Sequence, residues 1–508
     1  MKLLKLLVLL VATLLVLGRL TQRDLPTREA SLAGRHLSDT TDTLLGRSLG
    51  PQVARHQGLS GIHPLPDGHD AFAARALLAE VAERSIDAQY YIWHDDISGR
   101  LLLQRLRAAA DRGVRVRLLL DDNNTKGMDA VLQGMDIHPN IEVRLFNPFM
   151  QRQMRPLGYL SDFSRLNRRM HNKSFTVDNQ ATVVGGRNVG DEYFGAGVGV
   201  LFADLDVIAV GPVVEEVSSD FDRYWNSAST YRLQDVLTDA VPPEDIGTVA
   251  SKDPATQQYL KVLSESSLVQ NLASRQLDFQ WVGTQLVSDD PAKGLGQARA
   301  TETLLGRLNQ VMHEATRQLV IVSPYFVPTQ HGTERLQALA RRGIEVVVLT
   351  NALSATDVAV VHAGYARYRR PLLEAGVRIF ELKRHATIVA DKGQGGITGS
   401  SGASLHAKTF QVDGKQLFVG SFNMDPRSAA LNTEMGLLMN SPELAAQLQQ
   451  ALGKASSHTY EVSLHQGRLR WITIENGQEQ VYDTEPHTSW LQRISVRVMG
   501  WLPIEWLL

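Results

Sequence analysis

Two copies of one pattern, H-x-K-x4-D with a glycine-led turn and an asparagine behind it, constrain this chain more than any other feature. The first copy runs from Met170 to Asn188 and holds His171, Lys173, Asp178, Gly185, Gly186 and Asn188. The second runs from Leu405 to Asn423 and holds His406, Lys408, Asp413, Gly420, Ser421 and Asn423. One such pattern arises by chance in roughly one random chain in twenty, so alone it says little. Two copies at a constant separation, each trailed by an apolar run and an asparagine, describe a duplicated unit. Duplication predicts two similar domains related by a pseudo-twofold axis, with both copies meeting at one interface. His171 and His406 are then expected to face each other across a single cleft.

The surroundings repeat as well. Ile86 to Trp93 reads as a strand, Ser98 to Arg112 as an amphipathic helix ended by Gly113, and Val114 to Leu120 as a buried strand. Leu319 to Phe326, Thr333 to Arg342 with Gly343, and Ile344 to Thr350 follow the same plan. Helix and strand alternation predicts an α/β fold, here two α/β/α domains with the site at their interface. Asp204 falls in a short strand, F-A-D-L-D-V-I, and Glu434 is its counterpart in the second half. The expected organisation is a signal-like or anchor segment over 1–24, a tether over 25–57, a first domain over 58–235, a linker over 236–300 and a second domain over 301–450. Residues 451–508 read as a hairpin, turned at Asn476-Gly477, and an amphipathic tail.

Composition narrows the chemistry. The 508 residues include no cysteine, which excludes disulfides, thiol catalysis and thiolate metal sites. A net charge of −2 gives no global field for nucleic acid. Lys2 and Lys5 precede an apolar run from Leu6 to Gly18, a layout that fits a cleaved signal or an uncleaved anchor, the second being preferred. In the tail, Trp490, Ile494, Val498 and Trp501 fall on one helical face beside Arg493 and Arg497. That pattern fits either contact with a membrane interface or a helix docked on the core.

Two histidines from opposite sides suit a two-step displacement at phosphorus. One attacks and forms a phosphohistidine, while the other protonates the leaving alcohol and later deprotonates the incoming one. Lys173 and Lys408 supply fixed positive charge to phosphate oxygens. A carboxylate behind each histidine would fix its tautomer, and Asp204 and Glu434 are the candidates. Asn188 and Asn423 are candidate phosphate donors. Asp178 and Asp413 belong to the motif and are counted with its catalytic set, although their place at a turn favours a structural role. Lysine beside each histidine would repel a cation, so no metal is expected.

The motif resembles that of the phospholipase D superfamily, which carries H-x-K-x4-D-x6-G-G/S-x-N twice per chain, and neither copy here departs from it. Q-Y-Y-I-W at Gln89, L-L-L-D-D-N-N at Leu118, R-L-N-R-R-M-H-N-K-S-F at Arg165, D-P-R-S at Asp425 and L-N-T-E-M-G at Leu431 are similar to bacterial cardiolipin synthases, most of all their C-type branch. The resemblance covers most of the chain after about residue 65 and leaves out the N-terminal apolar segment. It implies transfer of a phosphatidyl group, without metal or nucleotide cofactor, from a phospholipid to phosphatidylglycerol at a membrane surface. Phosphatidylethanolamine is the donor that the C-type branch implies. By the family's habit His171 is the nucleophile and His406 the acid and base. The bacterial inner membrane is the implied location, with the chain peripheral or held by its N-terminal segment. The alternatives are a phospholipase D that passes the group to water, a nuclease of the same superfamily, which the near-neutral charge disfavours, and a membrane-bound lipid-binding scaffold.

Overall fold

The computed structural model describes residues 13, 23–27, 34–196, 201–237, 241–247, 253–274, 277–384, 404–475 and 477–508. The segment read as a signal or anchor lies almost wholly outside them, and so does Asn476 of the hairpin turn. Two mixed sheets carry the molecule. The first has nine strands in the spatial order Gln280–Val282, Ser60–Leu65, Asp206–Val210, Ala181–Gly185, Ser174–Val177, Ser85–Ile92, Arg115–Asn124, Ile141–Phe146 and Thr230–Arg232. The second has ten, in the order Thr284–Ser288, Met435–Asn440, Gln416–Gly420, Lys408–Val412, Gln318–Val322, Glu345–Asn351, Arg378–Leu382, Thr459–His465, Arg468–Glu475 and Gln478–Tyr482. The motif strand occupies the same place in both, antiparallel to Ser85–Ile92 in the first and to Gln318–Val322 in the second.

The strands read as near-continuous apolar runs because both faces of each sheet are covered. Neighbouring residues divide between the layers. Val183 and Phe175 pack toward helices Gly68–Val81 and Ile97–Asp111, whereas Val184, Val207 and Ala209 pack against Leu417, Val419 and Leu437 of the other half. Each such valine or leucine contributes about 1.5–3 kcal/mol by leaving water, so the halves share one apolar seam and not a loose contact. Asp67 and Asp96 cap the two helices through their carboxylates. Gly113 and Gly343, at φ +95° and +84°, let the chain turn back into the next strand.

The structure divides three regions differently from the sequence reading. The stretch read as a tether carries a helix, Leu44–Arg55, capped by Thr43. The stretch read as a linker carries the edge strand of each sheet, Gln280–Val282 and Thr284–Ser288, with Gly283 alone between them. The closing hairpin is no separate unit, since Thr459–His465 pairs with Arg378–Leu382 and the hairpin strands extend the second sheet. Local alternation cannot tell an edge strand from an isolated extended segment, because the partner lies far along the chain.

Candidate functional site

The two motifs meet through short stretches that leave their own sheets. Phe202–Ala203 pairs in parallel with Ser404–Leu405 of the other half, and Met170 bridges Thr433. Asp204 therefore does not sit in the strand assigned to it. It lies in the break between Phe202–Ala203 and Asp206–Val210, where the chain crosses to the other half. The backbone N–H of His406 donates to Ala203 O at 2.8 Å, and that of His171 donates to Thr433 O at 2.9 Å. Each histidine is thus clipped one residue ahead of the other half's carboxylate.

The side chains complete the exchange. His171 Nδ1 lies 2.8 Å from Glu434 Oε2, and His406 Nδ1 lies 2.5 Å from Asp204 Oδ2. Both Nδ1 atoms are committed to carboxylates, which leaves Nε2 of each ring for chemistry. Lys173 Nζ donates to the His171 carbonyl oxygen at 2.6 Å. Lys408 Nζ donates to the His406 carbonyl oxygen and sits 2.8 Å from Nδ1 of that ring. Aromatic rings wall the pair. Tyr91 meets His171 edge-on at 4.8 Å, and Tyr193 and Phe202 lie 5.2 and 5.0 Å from His406.

Burial dominates the electrostatics. It pushes the His171 imidazole well below its usual pKa, helped by the ammonium groups of Lys173 and Lys408. His406 is lowered by burial and by Lys408, against the pull of Asp204. Burial also brings Lys173 down to about 7 and Lys408 to about 8. The two carboxylates diverge. Burial pushes Glu434 up to about 7 despite Lys173 and the hydroxyls of Ser421 and Ser428. Asp204 is also buried, yet the charges of His406 and Lys408 hold it well below the carboxylate range.

The motif aspartates, counted above with the catalytic set, stand apart from this cluster. Asp178 accepts the N–H groups of Glu83, Arg84 and Ser85 at 3.0, 2.7 and 2.8 Å. Asp413 accepts those of Thr316, Arg317 and Gln318. Both sit at positive φ, +51° and +55°, at the far ends of their motif strands, four residues beyond Ser174 and one beyond Val412. They tie the motif strands to the starts of the neighbouring strands Ser85–Ile92 and Gln318–Val322. Asn188 is likewise engaged, donating to the Tyr193 hydroxyl and accepting from Ile92 N. Asn423 is buried with its Oδ1 unsatisfied. Arg169, two residues ahead of His171, is buried against Asp121 and three backbone carbonyls.

Other residues escaped the sequence reading. Ser421 and Ser428 donate to the two oxygens of Glu434 at 2.5 and 2.7 Å. Behind them, Asp289 Oδ2 accepts Glu434 N at 2.9 Å and the Lys293 ammonium at 2.8 Å. Lys293 also donates to Ser428 O. The D-P-R-S stretch contains Ser428, but Asp289 and Lys293 fall in the region read as a linker.

Residues 77–225 and 308–455 match the family described as cardiolipin synthase, PLD-like domain. The chain belongs to that family. It is an enzyme, a phosphatidyltransferase of the phospholipase D superfamily. It is 51% identical over 464 residues to cardiolipin synthase C of Escherichia coli, covering 90% of this chain and 98% of that protein. It is 27% identical over 405 residues to cardiolipin synthase A of Pseudomonas entomophila, covering 80% of this chain and 70% of that protein. Among solved structures, phosphatidylserine synthase of Haemophilus influenzae aligns with a TM-score of 0.55 at 14% identity, over 88% of this chain and 95% of that one, a likeness of fold alone.

Proposed function

We propose that this member of the cardiolipin synthase family transfers a phosphatidyl group from phosphatidylethanolamine to phosphatidylglycerol through a phosphohistidine on His171. The observation that carries the reading is the crossed pairing of His171 with Glu434 and His406 with Asp204, which gives one site two oriented imidazoles. His171 Nε2 attacks phosphorus and the P–O bond to ethanolamine breaks. The departing oxygen takes a proton from His406 Nε2. The terminal hydroxyl of phosphatidylglycerol then gives its proton to His406 and attacks the phosphohistidine, releasing cardiolipin and neutral His171.

The division of labour follows from the carboxylates. Asp204, held ionised, stabilises an imidazolium on His406 once an anionic phosphodiester offsets the lysines. His171, whose pKa is driven well down, offers a free lone pair. Lys173 and Lys408 take the non-bridging oxygens, and the mechanism needs neither metal nor nucleotide. Burial of both rings among Tyr91, Tyr193 and Phe202 favours a lipid hydroxyl over water as acceptor. The natural setting is the bacterial inner membrane, with the chain peripheral or anchored through residues 1–24.

The test is a product analysis. Membranes holding the protein receive headgroup-labelled phosphatidylglycerol with and without phosphatidylethanolamine, beside a His171→Ala control. Cardiolipin that requires both lipids and vanishes in the control is the expected result. Phosphatidic acid without cardiolipin would replace this reading with hydrolysis, and lipid binding untouched by His171→Ala without turnover would leave a scaffold.

A further inference from the structure

Several large apolar side chains near the C-terminal end of the described chain face solvent. Helix Trp490–Met499 starts at a capping box formed by Ser489 and Gln492 and buries Val496 against Leu353 and Ala363. Its other side carries Trp490, Ile494 and Val498 exposed, and Trp501 just beyond is 78% exposed. The helix thus has a docked face, as one reading of the tail expected, and an open one. Trp506 follows, exposed, and meets the exposed Phe163 of helix Arg155–Leu166 at 6.5 Å between ring centroids. That contact joins the tail to the first half.

The surface is fastened to the site. Arg427 donates to the carbonyl oxygens of Leu507 and Leu508 and to Asn167, four residues ahead of His171. Its neighbour Ser428 holds Glu434. On the first half, Arg23, Asp24 and Leu25 line one small cavity with Gly158, Ser161 and Asp162 of the same helix. Arg497 is exposed among the tail's apolar side chains.

We propose that helix Trp490–Met499, the Trp501–Leu508 stretch and helix Arg155–Leu166 form one seat that rests in the interfacial layer of an anionic phospholipid bilayer. The proposal rests on the lipid-transfer reading and names the surface through which the enzyme meets its substrates. Tryptophan with arginine at its side is the composition of an interface-seated segment. Exposed apolar side chains grouped as Trp490, Ile494 and Val498 are on one helix, and as Trp506 and Phe163 are in contact, mark an interaction surface. A bilayer is favoured over a second copy of the chain because Arg23 and Leu25 lie beside helix Arg155–Leu166, and the sequence just ahead of them is an apolar run of the kind that calls for a lipid phase.

The test uses the full chain in vesicles of phosphatidylglycerol and phosphatidylethanolamine whose acyl chains are brominated. Bromine quenches tryptophan fluorescence at short range, and Trp93, Trp225, Trp281 and Trp471 remain as internal references in a Trp490→Phe, Trp501→Phe, Trp506→Phe variant. The expected result is a quenched component in the native chain that the variant lacks. Equal fractional quenching in the two proteins overturns the seat and leaves the face to a protein partner. A second variant, Trp490→Glu with Trp501→Glu, should turn over lipid in vesicles about tenfold more slowly, the equivalent of one large buried apolar side chain, and keep its rate on monodisperse short-chain lipid. An unchanged vesicle rate also counts against the seat. Quenching does not depend on turnover, so a protein that is quenched as expected but makes no cardiolipin would sink the transfer reading alone.

Discussion

At the scale of single residues, the motif's letters divide into two jobs that spacing alone does not separate. Asp178 and Asp413 collect backbone N–H groups at the ends of their strands. Their positive φ suits aspartate, whose short side chain bonds locally there. The glycine-led turn is less symmetric than it reads. A Cβ on Gly186 would lie 2.1 Å from Asp204 Oδ1, whereas its counterpart Ser421 carries a side chain whose hydroxyl donates to Glu434. The shorter carboxylate comes with a bare glycine, and the longer one with a serine. Gly186→Ala is therefore expected to push Asp204 off His406 Nδ1 and to lower kcat by about 100-fold, the scale of a misplacement near 1 Å. Melting temperature measured beside kcat separates this from unfolding, since one displaced side chain moves the first far less than the second. A kcat within a few-fold of the native value would mean that Asp204 does not orient His406.

At the scale of elements, the repeated strand–helix–strand plan and the motif strands were legible because their signals are local: apolar runs, Gly113 and Gly343. The crossed pairing was not, because Glu434 lies 263 residues from His171 and Asp204 lies 202 from His406. Correspondence between halves named the two carboxylates but not their partners. The connection between halves was read as a linker, yet it supplies Asp289 and Lys293, which hold Glu434 from behind. In the first half Arg187, inside the motif, donates to Asp204 O. The matching position in the second is Phe422, so the crossover delivers the missing cation. Lys293 also lowers the Glu434 pKa. Lys293→Met should therefore drive Glu434 further up and move the acid limb of kcat/KM to higher pH, with Lys293→Arg restoring most of the native profile. A uniform loss of activity with the limb unmoved would reduce Lys293 to packing.

At the scale of the whole molecule, two halves fold their charges into one buried site, and this links activity and stability to pH in opposite senses. Lys173 and Lys408 titrate near 7 and 8 in the free protein, against 10.5 when unfolded. Because the folded pKa is depressed, the folded state binds fewer protons than the unfolded one between those values, and stability from these groups rises with pH. Glu434 opposes this at lower pH, since its raised pKa makes the folded state bind more protons between 4.5 and about 7. Above about pH 8 its titration is complete and the lysines act without it. Activity runs the other way. Each ammonium lost removes a charge that would meet the phosphate, so kcat/KM on the free enzyme should fall from about pH 7 to about pH 9. Once phosphate is bound it holds both ammoniums protonated, and kcat should fall less steeply. Inorganic phosphate read by melting temperature isolates the binding part: its stabilisation should be clear near pH 6 and weak near pH 9. Equal stabilisation at both pH values would mean that the two lysines stay charged in the empty site, and that burial at the seam between the halves does not govern how the enzyme takes up its phosphodiester.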